Sequence, residues 1–149
     1  MRYASAGDGP AIRDVVRSVL AEHDLSFEID GHDHDLVDVR ASYVSPGGCF
    51  LVVESDGHVT GCAGLYLLSE DEGELRKMYL SPGVRGRGLG RELLVRLIAE
   101  ARGHGLKRLT LESHSSLHAA LALYESAGFT FIPHEHPSHR ADVAMQLLL

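Results

Sequence analysis

The chain has 149 residues, which fits one domain and is long enough to bury a core without disulfides or metals. Its 44% hydrophobic and 23% charged residues are typical of a folded globular protein. The net charge of -7 argues against nucleic acid as a partner, and no apolar run approaches the roughly 20 residues that span a bilayer.

The N-terminal residues and the cysteines indicate a compartment. The first residues contain no apolar segment of the kind found in signal peptides. Cys49 and Cys62 lie in apolar, strand-like surroundings, where buried free thiols in a reducing compartment are favoured over a disulfide. We therefore expect a cytoplasmic protein without a membrane partner.

The first third of the chain predicts one strand and two helices. Residues 2–5 form a short strand. Asp8 and Pro10 open a helix in which apolar residues recur at helical spacing. A second, weaker helix is expected over residues 33–41, inside an acidic stretch.

The middle of the chain predicts three consecutive strands. Residues 50–53 and 59–67 are strands joined by a turn at Asp56-Gly57, a strong hairpin signal. A fourth strand follows over residues 74–80, because a turn rich in acids and glycine precedes it.

The remaining residues predict two helices and three strands. Residues 89–102 form the clearest helix, with one apolar stripe. A fifth strand covers residues 106–112. Ser116 is expected to cap the next helix, and Gly128 to terminate it. The last two strands are predicted at residues 129–132 and 142–149. This order indicates a mixed α/β layer around one sheet.

Three arginines and three glycines alternate between the fourth strand and the clearest helix, in the segment Arg85-Gly86-Arg87-Gly88-Leu89-Gly90-Arg91. The first N–H groups of a helix have no internal partner, and glycines let a phosphate approach them. Arginines add charge and bidentate donors. We therefore predict a pyrophosphate site here. The segment matches neither a P-loop nor the Gly-x-Gly-x-x-Gly dinucleotide motif.

Two motifs resemble one enzyme family. Arg85-x-x-Gly88-x-Gly90, preceded by a strand and by Pro82, resembles the acetyl-CoA signature of the GNAT superfamily of N-acetyltransferases. Leu123-Tyr124-Glu125-Ser126-Ala127-Gly128-Phe129 is similar to the family motif Leu-Tyr-x-x-x-Gly-Phe. The resemblance implies a single α/β (α+β) GNAT-like domain over residues 1–149. Its mixed sheet would have splayed fourth and fifth strands and about four flanking helices.

The resemblance also implies acetyl-CoA as co-substrate, bound in the gap between the fourth and fifth strands. The pantetheine arm is expected against the backbone of Met78, Tyr79 and Leu80. The pyrophosphate is expected on the following turn. The residues expected to hold it are Arg85, Gly86, Arg87, Gly88, Leu89, Gly90 and Arg91.

Tyr124 matches the tyrosine that often protonates the departing CoA thiolate in this family. A phenol with a pKa of about 10 is protonated at neutral pH and can act as an acid. A packing role on the buried side of its helix is the alternative. One position departs from the family, since Leu117 stands where many members have an asparagine that contacts pantetheine. Ser116 offers a nearby hydroxyl instead.

An amine acceptor must lose a proton before it attacks the thioester, and a carboxylate is the usual base. Glu74, at the start of the fourth strand, and Glu112, near the end of the fifth, are the candidates at family-like positions. Either could instead be a solvated acid, and His114 or His118 could serve as base. No cysteine stands near this chemistry, so direct attack in a ternary complex is expected rather than an acyl-enzyme.

Two features of the sequence predict different kinds of acceptor. Residues 22–38, in a region that helps form the acceptor pocket of the family, contain seven acids and no lysine or arginine. Such acids favour a cationic amine such as a polyamine, an aminoglycoside or a basic peptide. Against that, Arg76 and Lys77 on the fourth strand could hold an acceptor carboxylate. Glu74 and Arg76 share one strand face, and a base beside a carboxylate clamp suits an amino acid. We expect a small amino-acid-like or polyamine-like acceptor bound by Arg76.

The ten histidines include His134, His136 and His139 in one short segment. Zinc sites usually need a fourth ligand at defined spacing, and this segment contains two prolines. It is therefore interpreted as a solvated loop, and no metal is expected. The segment His32-Asp33-His34-Asp35 is interpreted as surface on the same grounds.

Other functions stay open. A protein or peptide amine is an alternative acceptor, and a non-catalytic CoA-binding regulatory domain is an alternative to an enzyme. A nucleotide phosphate-binding protein is a third hypothesis. Tyr124 and the nearby carboxylates argue against the regulatory domain. A homodimer is common for this architecture, and only the resemblance supports it here.

Overall fold

The computed structural model describes residues 1–149 and contains one seven-stranded sheet in the order β1-β2-β3-β4-β5-β7-β6. Neighbouring strands are antiparallel, except for β4 and β5, which are parallel. The strands are β1 (Arg2–Tyr3), β2 (Cys49–Ser55), β3 (His58–Leu67), β4 (Glu72–Leu80), β5 (Arg108–Ser113), β6 (Thr130–Ile132) and β7 (Val143–Leu148). The α-helices are α1 (Gly9–Glu22), α2 (Leu89–Gly103) and α3 (His118–Ser126).

The sheet separates two hydrophobic cores because successive strand residues point to opposite faces. On one face, Leu51 and its neighbours pack against α2 and against Tyr124 of α3. On the other face, Phe50 and Val52 pack against the buried stripe of α1. Cys49 and Cys62 are buried as free thiols, as expected, and burial raises the pKa of each to about 12.

The hairpin between β2 and β3 turns at Asp56 and Gly57, as expected. Both residues have positive φ angles, 51° and 77°. Positive φ at both central positions is what a two-residue hairpin turn with the right twist requires, and asparagine, aspartate and glycine tolerate it best. The expected fold is confirmed: one mixed sheet, three α-helices and a short π-helical turn at Arg40–Val44.

The parallel pair β4 and β5 separates part-way along its length. Paired positions run from Glu72 with Arg108 to Leu75 with Leu111, and β4 continues to Leu80 without pairing with β5. On its other side, β4 stays paired with β3 as far as Leu80. The expected splay is therefore present, and it exposes one backbone edge of β4.

A bulge interrupts β4 at Lys77. Cys62 pairs with Tyr79 and Gly64 with Arg76, so Lys77 and Met78 together face one residue of β3. The φ angle of Lys77 is 56°, in the left-handed region. A bulge of this kind bends the strand and redirects the side chains that follow. It lies at the point where β4 leaves β5.

Two local predictions were wrong. Instead of a helix over residues 33–41, the chain forms a 3-10 turn at His34–Leu36 and the π-helical turn. Ser116 does not cap α3, because Leu117 is the N-cap residue and the Ser116 hydroxyl bonds to the ring of His114. The termination of α3 by Gly128 is confirmed, since its φ angle is 99°. No helix combines the length and the apolar character needed to cross a membrane.

Candidate active site

A cavity of about 580 Å³ occupies the gap between β4 and β5. One end reaches the turn before α2, and the other reaches the loop after α1 and the loop before β7. Its lining contains the proposed catalytic, pantetheine and acceptor residues together: Glu74, Arg76, Met78, Tyr79, Leu80, Glu112 and Tyr124.

The end of the cavity next to α2 is built from backbone. The N–H groups of residues 86 to 91 donate no backbone hydrogen bond. Gly86 and Gly88 have φ angles of 76° and 79°, which glycine adopts without strain. Gly88 is the N-cap of α2, so these amides add to the positive end of the helix dipole. The turn is therefore suited to a pyrophosphate.

The three arginines of this turn differ in their contacts. Arg85 bonds to the carbonyl of Leu80 and to the carboxylate of Glu22, with Nη2 2.6 Å from Oε2. Arg91 donates to the hydroxyl of Ser126 at 3.1 Å. Arg87 is exposed, and neither Arg87 nor Arg91 lines the cavity, whereas Arg85, Gly86, Gly88, Leu89 and Gly90 do.

Between the two ends, Met78, Tyr79 and Leu80 line the cavity, on the part of β4 that does not pair with β5. A flexible chain with amide groups can add hydrogen bonds to such an edge as a further strand would. Ser116 lies outside the cavity lining, and its hydroxyl is 2.7 Å from Nδ1 of His114.

Tyr124 lies on α3 and faces the same cavity, with 6% of its surface exposed. Its ring packs near Phe129, and its hydroxyl makes no hydrogen bond within the chain. Burial raises the pKa of this phenol above its ordinary value, so it stays protonated at neutral pH. Tyr124 is thus both a packing residue and an available proton donor.

The acceptor end of the cavity contains an ion pair between Glu74 and Arg76. Arg76 donates from Nε and Nη2 to the two carboxylate oxygens, at 2.9 and 3.1 Å, and its guanidinium lies 3.8 Å from the Tyr66 ring centre. Nη1 of Arg76 makes no hydrogen bond in the chain. The base and the carboxylate clamp expected from the sequence are therefore bonded to each other.

Glu112, the other candidate base, has a more open position at the end of β5. Its side chain is 56% exposed, and one oxygen lies 3.5 Å from Nε2 of His134. The side chain of His134 is only 7% exposed. His114 and His118 also line the cavity, so each alternative base is at its surface.

A buried charge network closes the acceptor end, and sequence reasoning missed it. Asp33 is fully buried and accepts two bonds from Arg140, at 2.8 and 3.0 Å. Lys77 lies 2.7 Å from Asp33 and 3.3 Å from Asp35, and Tyr43 donates to Asp35. Burial acts to raise the pKa of Asp33, but the Arg140 bonds and the Lys77 charge outweigh it and lower it to about 2.

The network corrects two interpretations of the sequence. Asp33 and Asp35 are not surface acids, and the loop before β7 is not simply solvated, because Arg140 and His134 are buried in it. The only feature of the sequence that indicates this network is Arg140 itself, in a loop that is otherwise rich in histidine and proline. Its partner is 107 positions away, beyond the reach of a local pattern.

Comparisons with known proteins agree with this geometry. The model of the Acetyltransferase (GNAT) family matches residues 16–129. The uncharacterized N-acetyltransferase YjgM of Escherichia coli (strain K12) is 39% identical over 138 residues, which are 89% of this chain and 82% of that protein. The chain belongs to the GNAT acetyltransferase family.

Two further relatives extend the comparison. The IAA acetyltransferase of Azospirillum brasilense is 33% identical over 79% of this chain and 78% of its own length. The acetyltransferase yncA of Salmonella typhimurium, solved with its cofactor acetyl-CoA, superposes with a TM-score of 0.72 at 29% identity. This superposition covers 99% of this chain and 91% of yncA.

Membership of the GNAT family assigns the reaction class. The chain is an acetyl-CoA-dependent N-acetyltransferase, and acetyl-CoA is its co-substrate. The interpretation as a non-catalytic regulatory domain is thereby replaced by an enzyme.

Proposed function

We propose that the chain transfers the acetyl group of acetyl-CoA to the primary amine of a small amino-acid-like or polyamine-like molecule, by direct attack in a ternary complex. The observation that carries this proposal is that one and the same cavity contains an anion site made of backbone amides and an end that is lined by side chains. Tyr124 lies along the same cavity. Both substrates could therefore be bound together without a covalent intermediate.

The proposed roles at the cofactor end follow from free backbone groups. The amides of the Arg85 to Arg91 turn would hold the pyrophosphate, and the free edge of β4 from Met78 to Leu80 would hold pantetheine. Ser116, Arg87 and Arg91 are supported less well than the rest of the set, because they lie outside the cavity lining. Arg87, with an exposed side chain, remains available to a phosphate from the solvent side.

Tyr124 is proposed as the general acid. The bond between the carbonyl carbon and sulfur breaks as the amine attacks, and the sulfur leaves more easily when a proton is delivered to it. A buried phenol without a partner in the chain can keep its proton until the thiolate forms, since burial raises its pKa. Tyr79, a second phenol in the cavity lining whose pKa is raised by burial, interacts with Arg140, which acts to lower that pKa.

The base is proposed to be a carboxylate, with Glu112 favoured over Glu74. Both carboxylate oxygens of Glu74 accept hydrogen bonds from Arg76, so the atoms that would take the proton of the amine are already occupied. Glu112 has no such bidentate partner. Comparing the pH profiles of kcat/KM for Glu112→Gln and Glu74→Gln tests the choice, because the titration of a general base produces the fall in activity at acidic pH. Loss of this acidic limb only in Glu74→Gln would reverse the choice.

Two observations favour an amino-acid-like acceptor over a polyamine. Within the acidic stretch, Asp33 is fully buried and is paired with Lys77 and Arg140. Asp35 is half-buried, and its carboxylate lies 3.3 Å from Lys77. Both acids therefore offer little to a cationic ligand. Arg76 lines the cavity, and its Nη1 is not among the atoms that bond to Glu74, so an acceptor carboxylate could accept a hydrogen bond from it.

The experiment is a thiol-release screen with acetyl-CoA, using amino acids, their methyl esters, polyamines and a short peptide. For an amino-acid-like acceptor, Arg76→Met should raise the KM for the amino acid but leave the KM for the ester nearly unchanged. Activity restricted to the peptide would refute a small acceptor. Release from no amine in the screen would contradict the proposed acceptor classes.

The remaining parts of the proposal concern organisation. Free, buried cysteines are consistent with a reducing compartment such as the cytoplasm.

We also propose that residues 1–149 act as one catalytic domain and that two copies form a homodimer. Light scattering after size exclusion tests the dimer, and a mass of one chain across the micromolar range would refute it.

A further inference from the structure

Three side chains of the types that commonly bind metals lie close together outside the proposed reaction centre. Glu28 and His32 lie in the loop after α1, and His139 lies in the loop before β7. One ligand atom from each residue lies within 4.8 Å of the other two. Nε2 of His139 is 2.7 Å from one oxygen of Glu28, and Nε2 of His32 is 3.8 Å from the other oxygen.

The two loops are held in place by the buried carboxylate of Asp33. It accepts the backbone N–H of Glu28 at 2.8 Å, and it binds the guanidinium of Arg140, the residue next to His139. Arg140 also donates to the carbonyl of Ser26 at 2.6 Å. The backbone positions of the three side chains are therefore fixed relative to one another before any ligand binds.

The chemistry of the three groups is that of a transition-metal site. Two imidazole nitrogens and one carboxylate suit zinc, and three protein ligands leave a position for water. Arg140 is paired with the carboxylate of Asp33, and this pairing reduces the repulsion between the guanidinium and a bound cation.

We propose that Glu28, His32 and His139 bind one divalent transition-metal ion, represented by Zn²⁺, which links the loop after α1 to the loop before β7. His32 also lines the cavity, so the ion would fix one side of the acceptor entrance. The site is separate from the residues assigned to acetyl transfer. The proposal does not depend on the identity of the acceptor.

The test uses the full chain without a histidine tag, titrated with Zn²⁺ by calorimetry and with Co²⁺ by visible absorption. We expect one site and a Co²⁺ spectrum of low coordination number. Even residues that only hydrogen-bond to the ligands of a metal contribute about 10–100-fold to metal affinity. Removing a direct ligand in His139→Ala or His32→Ala should therefore weaken binding by at least about tenfold. Zn²⁺ should raise the Tm of the wild type more than that of either variant.

The matched control is His136→Ala, an exposed histidine of the same loop whose side chain is not in the cluster. It should bind Zn²⁺ like the wild type. Because His139 is 66% exposed, its removal should leave metal-free Tm and acetyl-CoA binding unchanged. The proposal is overturned if the wild type binds no Zn²⁺, or if His139→Ala and His136→Ala bind it equally.

Discussion

At the proposed cofactor end of the cavity the free polar groups are backbone N–H groups, whereas the proposed acceptor end is built from charged side chains of four separate segments. The cofactor end uses residues 86 to 91 and the edge of β4, which are close in the chain. The acceptor end brings together Asp33 and Lys77 with Glu112 and Arg140. These residues come from the loop after α1, β4, β5 and the loop before β7.

This difference determines what each end can recognise. Amides exposed by glycine geometry bind a phosphate whatever the rest of the ligand carries, so one short turn can serve a whole family with one co-substrate. Charged side chains can be exchanged one at a time, and their mutual pairing decides which of them is left for a ligand. At the acceptor end most charges are paired internally, and Arg76 retains a free donor.

Tyr124→Phe should impair catalysis without changing ligand binding at either end of the cavity. General acid catalysis contributes about 10²–10⁴-fold, so kcat should fall by that order while the Kd for acetyl-CoA and the KM for the acceptor change little. Stopped-flow thiol release and calorimetry with CoA measure the two quantities. Tyr3→Phe, which alters a hydroxyl bonded to Glu100 away from the cavity, is the control. A Tyr124→Phe enzyme with wild-type kcat would remove the acid role.

The same difference explains what the sequence predicts well. The turn at Arg85 to Arg91 can be identified because its glycines satisfy a local requirement, seen in the positive φ angles of Gly86 and Gly88. Helices α1 and α2 and the hairpin at Asp56-Gly57 follow from local periodicity and turn chemistry for the same reason. The separation of β4 from β5 was expected only because of the resemblance to the GNAT superfamily, not from any local pattern.

The acceptor end could not be predicted because its contacts are distant in sequence. Asp33 meets Lys77 and Arg140, which lie 44 and 107 positions away. Acids alternating with histidines look solvated when only neighbours are considered, and those contacts also replace the expected helix over residues 33–41 with short turns. Ser116 was misassigned for a local reason: its hydroxyl bonds to His114 instead of to the start of α3.

Asp33→Ala should damage the acceptor end alone. Removing one partner of a buried ion pair costs about 3–5 kcal/mol, because Arg140 and Lys77 would be left without their shared carboxylate. Urea unfolding measures the loss, and the Kd for acetyl-CoA in the folded variant should stay near the wild-type value. Asp30→Ala, an exposed acid of the same loop, should change stability by no more than about 0.5 kcal/mol.

The pH dependence of that stability has a definite direction. The pKa of Asp33 falls from 3.8 to about 2 on folding, so its stabilising contribution is complete above the unfolded value. It is lost as the pH falls towards the folded value. The stability difference between the wild type and Asp33→Ala should therefore narrow between about pH 4 and pH 2. An unchanged difference over that range would mean that the carboxylate is not ionised in the folded protein.

Gly88→Val should damage the cofactor end alone. A branched residue at a φ of 79° carries strain of about 1–3 kcal/mol and moves the amides that precede α2. The Kd for acetyl-CoA should rise by about tenfold or more, since each 1.4 kcal/mol is a factor of about ten. Gly103→Ala, where an added Cβ meets nothing within 4 Å, is the control. An unchanged Kd in Gly88→Val would remove the backbone site.

Glu22→Gln gives the smallest expected effect and the sharpest test of the backbone interpretation. Arg85 and Glu22 form a solvent-exposed pair with side chains 42% and 34% exposed, and such pairs contribute about 0–1 kcal/mol. Arg85 keeps its bond to the carbonyl of Leu80 in the variant. The Kd for acetyl-CoA should therefore change by less than about fivefold in calorimetry. A larger change would mean that side chains, and not the amides of residues 86 to 91, determine affinity at the cofactor end.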